Sequence, residues 1–211
     1  FYGKVPSYWT DYSWQGVKPG KYGYATYRLT ILLPPNISKP LGFYIPVFDS
    51  SYDLYINGEL KSFNGQTGKS ANETIPQYKP TFFRYVKTSD TLSIVINVSN
   101  YHHRRGGFWL PLQIGTFNEI QKTRANSWAG DYATMSLLFG FALFFMTFFA
   151  FYPKDRIMAF FSLALIGMAL RPLFTTPYLI YDFANLGWQW TVRLEYICLF
   201  IVMFGWAWFA Y

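Results

Sequence analysis

The stretch Tyr132–Tyr152, YATMSLLFGFALFFMTFFAFY, carries no charged residue. As a helix rising about 1.5 Å per residue it matches the roughly 30 Å hydrocarbon core of a bilayer. Two more apolar stretches follow, one from Ile157 to Tyr178 and one from Trp190 to Tyr211. A single water-soluble globule is excluded, because this chain has no core large enough to bury three such helices. Residues 1–131, by contrast, are polar, turn-rich and strand-patterned. The expected organisation is a water-facing domain over 1–125, a joint at 126–131 and a membrane bundle over 132–211, with spans at 132–152, 157–178 and 190–211.

Charge then sets the orientation. The loop Pro153-Lys154-Asp155-Arg156 carries two cations, whereas 181–190 carries none and contains Asp182. Cytoplasmic loops hold the excess of Lys and Arg, so 153–156 is expected inside and residues 1–125 outside the cytoplasm, with Tyr178, Tyr181, Trp188 and Trp190 as an outer aromatic belt. Residues 1–131 hold 14 Lys and Arg against 8 Asp and Glu, but the charges are scattered. The one basic cluster is Arg104-Arg105, and a nucleic-acid binder would show a longer stripe. A single cysteine, Cys198, permits no intrachain disulfide and offers no zinc pattern.

The outer domain reads as short strands. Ala25, Tyr27, Leu29 and Ile31 alternate with Thr26, Arg28 and Thr30, and the pattern stops at Pro34-Pro35. Alternation recurs at 41–47 and 52–56, ending at Asn57-Gly58, a two-residue hairpin signal. Phe82–Val86 and Leu92–Val98 read as further strands, and Phe108–Ile114 as a last one at an edge or bulge because of Pro111. Many strands without an intervening helical period predict an all-β sandwich, and their uneven spacing a jelly roll, followed by an α-helical transmembrane bundle.

VPSYW at 5–9, KYGYATYRL at 21–29, LYINGE at 54–59 and VSNYHHRRGG at 98–107 stand in this order ahead of the membrane spans. In wording and order they resemble the galactose-binding-like jelly rolls that accompany glycoside hydrolases. They are still more similar to the extracellular domain of the bacterial seven-transmembrane receptors with diverse intracellular signalling modules (the DISM family). That resemblance implies a carbohydrate-derived ligand outside, seven spans and a cytoplasmic effector. The present sequence has three spans, so it is expected to be part of a longer protein in a bacterial inner membrane.

Several residues are candidates for chemistry. Trp9, Trp14, Tyr22, Tyr24 and Trp109 are able to stack a sugar ring; the same side chains also suit a sandwich core or a membrane contact. His102 and His103 face opposite sides if extended, which makes them poor co-ligands, and no carboxylate or cysteine stands at metal spacing. Arg104 and Arg105 suit a carboxylate, phosphate or sulfated glycan, or simply a solvated loop. Arg171 lies 14 residues into the second span and Glu195 near the outer end of the third. Placed at matching depth, they are expected to form an intramembrane ion pair, with snorkelling to the interface as the alternative for the arginine. Pro172 predicts a kink beside them.

No G-x-S-x-G, H-E-x-x-H or P-loop occurs, and the acids show no pairing that recommends a glycosidase, so no catalytic residue, metal or cofactor is expected. The expected partners are the bilayer and a glycan or small-molecule ligand, without nucleic acid. The expected function is that of a sensor passing a signal to a cytoplasmic effector. A second reading is an accessory subunit whose β domain docks another envelope protein.

Overall fold

The computed structural model describes residues 2–13, 15–48 and 50–211. It resolves into two compact units, Phe1–Lys122 and Thr123–Tyr211. The first contains seven strands: β1 (Gly23–Leu32), β2 (Leu41–Ile45), β3 (Ser51–Ile56), β4 (Glu59–Asn64), β5 (Thr81–Tyr85), β6 (Thr91–Asn100) and β7 (Gln113–Thr116). They make two antiparallel sheets, ordered β1-β6-β3-β4 and β5-β2-β7.

The alternation read in the sequence produces the core directly. Tyr52, Leu54 and Ile56 of β3 and Leu92, Ile94, Ile96 and Val98 of β6 are buried against Phe43 and Ile45 of β2. Phe43 has no exposed surface; it stacks on Phe83 at 5.0 Å and meets the edge of Tyr85 at 5.9 Å. Phe48 packs similarly between Tyr52 and Phe108, both at 5.1 Å. Each such pair adds about 0.5–1.5 kcal/mol beyond the area it buries. Strand β1 departs from the expected pattern at Leu29, which is exposed. It is an edge strand paired only with β6, so less of its inward face is covered.

Asn57 and Gly58 both have positive φ, 51° and 85°, which is the backbone that a tight two-residue hairpin with the right twist requires. Asn57 also accepts from the Ser93 N–H at 2.8 Å and donates to the Tyr85 hydroxyl at 3.3 Å, tying the β3–β4 turn to β6 and β5. Strand β4 beyond the turn was not recognisable by alternation, since Leu60 and Phe63 are exposed while Ser62 and Asn64 are buried.

The last strand is shorter and later than predicted. Residues 108–112 are irregular and only Gln113–Thr116 pair with β2. Phe108 does sit in the core, but its backbone is satisfied elsewhere: its N–H donates to the Tyr27 hydroxyl at 3.3 Å and its carbonyl accepts from Ser7 at 2.9 Å. Pro111 supplies no donor for a ladder.

Helix α1 (Phe117–Phe151) follows β7 immediately. Its start is a reciprocal cap: Thr116 Oγ1 donates to the Glu119 carboxylate at 2.7 Å, and the Glu119 N–H donates back to Thr116 Oγ1 at 3.4 Å. Those hydrogen bonds hold the Glu119 carboxyl below its usual range. The first turn is seated on the β5-β2-β7 sheet. Phe117 donates to the Pro40 carbonyl at 2.9 Å and stacks on Phe82 at 5.2 Å. A Cβ at Gly42 would stand 3.0 Å from the Phe117 Cα, and one at Gly115 would stand 3.3 Å from Ile120. Two glycines thus let the helix approach the sheet closely. Residues 126–131, read as the joint, are helical and belong to α1.

The second unit holds the rest of α1, α2 (Ile157–Phe174) and α3 (Trp188–Ala210). All three helices are long and apolar enough to cross a membrane. α2 stops four residues before the predicted end. The Thr175 N–H still reaches the Arg171 carbonyl at 3.0 Å, but Pro177 disfavours helix at Thr176, and the chain turns into a short 3-10 segment, Leu179–Asp182. Tyr178 and Tyr181 therefore do not present themselves as a belt. Tyr178 is buried, and the Tyr181 hydroxyl meets that of Thr191 at 3.1 Å and the Leu186 carbonyl at 3.2 Å. Trp190 is exposed, with Arg193 over its ring at 5.2 Å.

α2 and α3 pack antiparallel through small residues. A Cβ at Gly205 would lie 2.7 Å from the Ala164 nitrogen and 2.8 Å from the Phe160 carbonyl; one at Gly167 would meet Val202, Ile201 and the Cys198 carbonyl. α1 joins α2 where the Ser162 hydroxyl donates to the Ala142 carbonyl at 2.8 Å and Phe145 meets Phe161 edge-on at 4.7 Å. In hydrocarbon, close packing and such interhelical bonds supply the association that the hydrophobic effect supplies in water.

Candidate functional site

The segment 100–109 is where the expected ligand residues come together. Its frame is Asn100, which is buried and donates from Nδ2 to the carbonyls of Lys21 and His103, both at 2.8 Å, and Arg105, at 3.2 Å. Its Oδ1 accepts from the His103 N–H at 3.0 Å. The Arg105 N–H is taken by His103 Nδ1 at 3.2 Å. Two glycines then pass the chain under Trp9. A Cβ on Gly106 would collide with the Lys21 carbonyl and stand 2.6 Å from the Trp9 ring, while Gly107 has φ +118° with the Ser7 carbonyl 2.9 Å from where a Cβ would be. The loop holding Arg105 is therefore fixed by the hydrogen bonds of the buried Asn100 and by sterics.

On that frame the Arg105 guanidinium lies over two rings, Tyr8 at 5.6 Å and Trp109 at 5.8 Å. Tyr8 and Trp109 are themselves 5.4 Å apart. Trp109 is anchored by its Nε1, which donates to the Phe48 carbonyl at 2.9 Å. Among the described residues, no carboxylate pairs with Arg105 and no acceptor takes its guanidinium hydrogens. The ion pairs there are Lys61–Glu59 and Lys87–Asp90. A guanidinium near ring faces with its N–H donors untaken is suited to recognise planar oxyanions.

The other expected residues fall elsewhere. Trp9 is in the core at 6% exposure, and its Nε1 donates to the Tyr27 hydroxyl at 2.7 Å, so it offers no open stacking face. Burial pushes the Tyr27 hydroxyl up to about 12, which keeps it a neutral hydrogen-bonding hub for Trp9 and Phe108. Trp14 lies outside the described residues. Tyr22 is exposed, with Lys21 over its ring at 4.9 Å; Tyr24 is partly exposed on β1. His102 and Arg104 are exposed beside the cluster, and His103 packs edge-on to Tyr78 at 6.4 Å. Among the described residues, no group of three or more His, Cys, Asp or Glu is able to hold a metal ion. Tyr8 was missed as a site residue. Adjacent residues in an extended segment face opposite ways, so a buried Trp9 implies an outward Tyr8.

In the bundle, Arg171 lies exposed in the last turn of α2, and Glu195 is half-buried in the second turn of α3.

No protein-family model matches the chain, and no curated relative does. Among solved structures, a β-glucuronidase of Faecalibacterium prausnitzii is similar over 47% of this chain and 16% of its own, at 15% identity and a TM-score of 0.36. A protein described as a β-galactosidase from Bacteroides fragilis is similar over 53% of this chain and 18% of its own, at 16% identity and the same TM-score. The chain thus spans less than a fifth of either protein.

Proposed function

We propose that this chain is the sensory part of a bacterial envelope receptor of the DISM type, whose β unit is a jelly roll outside the cytoplasm. A carbohydrate-derived ligand binds that unit, and α1 carries the change towards the cytoplasm, where an effector acts on it. The observation that supports this reading best is the seating of the first turn of α1 on the β5-β2-β7 sheet at Gly42 and Gly115, at the head of one unbroken helix. A ligand that favours one pose of the sheet has a helix to bias. The charge asymmetry between the 153–156 loop and residues 181–190 supports the orientation.

The same reading uses an Arg171–Glu195 pair to hold α2 against α3. In an antiparallel pair, one turn up α2 is one turn down α3. Gly167 faces Cys198 and Ile201, so Arg171, one turn further on, comes level with the turn that contains Glu195. An arginine in hydrocarbon costs about 2.5–3.5 kcal/mol on insertion scales unless it is paired or reaches water.

The test is mechanical. Spin labels at residues 151 and 210, in protein reconstituted in nanodiscs, should change their separation when a binding fragment from a screen of soluble cell-wall glycans is added. A flexible Gly/Ser segment inserted after Lys122 should leave binding intact and abolish that change. Survival of the change in the insertion variant would sink transmission through α1.

A further inference from the structure

The Arg105 cluster points to a narrower ligand class than the proposed function requires, and it rests on that reading of the β unit as a ligand-binding domain. We propose that Arg105, Tyr8 and Trp109 bind a uronic-acid residue of a glycan, with Arg105 holding the sugar carboxylate and an aromatic ring packing on the pyranose.

Three observations carry this. First, the backbone that carries the cation is held in place before any ligand arrives. Asn100 fixes the Arg105 carbonyl, His103 Nδ1 fixes its N–H, and neither Gly106 nor Gly107 has room for a side chain. A solvated loop arginine has no need of such a frame, whereas a binding arginine gains affinity from it because less is ordered on binding. Second, two rings lie to one side of the guanidinium and its hydrogen-bond donors are untaken. Tyr8 and Trp109 lie against the guanidinium, and no carboxylate or carbonyl among the described residues takes its donors. A planar carboxylate matches that fork with two parallel hydrogen bonds. Third, the two rings lie side by side next to the charge. Trp109 is fixed through the Phe48 carbonyl, and both it and Tyr8 are half-buried, each retaining some open surface. An apolar sugar face against a fixed ring, beside a fixed cation, selects a sugar that bears its own carboxylate. A neutral hexose would leave the guanidinium unmatched, and a free carboxylate would leave the rings unused.

The experiment uses the full chain in nanodiscs and measures binding of three probes by calorimetry: trigalacturonate, the neutral galactose trisaccharide of the same linkage, and a sulfated galactose trisaccharide. Trigalacturonate is expected to bind at least tenfold more tightly than the neutral probe. Arg105→Ala should remove most of that preference, and Arg105→Lys should recover only part of it because an ammonium lacks the planar fork. Circular dichroism and thermal unfolding of both variants should match the parent, since the side chain is exposed and its backbone carries the frame. Equal binding of the acidic and neutral probes, or unaltered binding in Arg105→Ala, would overturn the site. A preference for the sulfated probe would overturn the carboxylate assignment. Neutral glycans binding independently of Arg105 would also overturn it while leaving the receptor reading intact. Arg105-dependent uronate binding with no change in the separation of spin labels at residues 151 and 210 would support the site and remove the receptor reading.

Discussion

Phe43→Ala is expected to destabilise the β unit by about 3–5 kcal/mol, the range for emptying a fully buried aromatic site. Phe43 is wholly buried on β2, the central strand of its sheet, and is gripped by Phe83 and Tyr85 from the β5 side. The surrounding strands are held by ladders on both edges of β2, so they are poorly able to collapse into the space. Domains are stable by only about 5–15 kcal/mol, so one truncation removes a large share of the margin. Because β2 also supports the first turn of α1 through Gly42, the loss should spread to the helix start. Urea unfolding followed by tryptophan fluorescence should show a lower midpoint with little change in slope. A loss below about 1.5 kcal/mol, the level of a volume-conserving swap, would show that Phe43 is not packed as described.

The second large effect concerns the bundle. Gly205→Ala is expected to separate α2 from α3, because the added carbon would stand 2.7–2.9 Å from the Phe160 carbonyl and the Ala164 backbone, and backbone atoms do not yield. Overpacking of this kind costs about 1–3 kcal/mol and sometimes more. Gly167→Ala should be milder, since two of its three neighbours are side-chain methyls of Val202 and Ile201. Gly140→Ala, with nothing within 4 Å, should be neutral. Unfolding in detergent mixed with increasing sodium dodecyl sulfate, followed by circular dichroism, ranks the three. A Gly205 variant as stable as the Gly140 variant would contradict the α2–α3 packing.

Much of this architecture is legible in the sequence because burial and period coincide. Strands β3 and β6 alternate over residues 52–56 and 92–98 since one face of each lies in the core, and Asn57-Gly58 marks a turn whose backbone only a few residues adopt. Three long apolar stretches, the first of them free of charge, announce the helices. What stays hidden is what depends on partners distant in sequence. Strand β4 hides because its buried positions are Ser62 and Asn64 and its apolar ones face out. The 108–112 segment looks like a strand because Phe108 is apolar and buried, yet its hydrogen bonds go to Ser7 and Tyr27. The candidate site is half legible for the same reason. Arg105 and Trp109 stand out as residue types, but their meeting with Tyr8, a hundred residues away, follows from the Trp9 and Ser7 backbone bonds to Gly106 and Phe108. The sequence equally nominated Trp9, whose indole is spent inside the core. The part of α1 ahead of Tyr132 stays hidden because its first turns are polar, and hydropathy marks only the apolar part of a helix.

Sensing outside and output inside require the β unit to face away from the cytoplasm, with the 153–156 loop on the other side. The most direct test is labelling with a membrane-impermeant maleimide in intact spheroplasts, using single cysteines at Asn57 in the β3–β4 turn and at Asp155 between α1 and α2; Cys198 is buried and supplies the background. The residue-57 cysteine should be labelled in intact spheroplasts and the residue-155 cysteine only after lysis. Labelling of residue 155 from outside, with residue 57 protected until lysis, would reverse the topology and contradict the receptor reading.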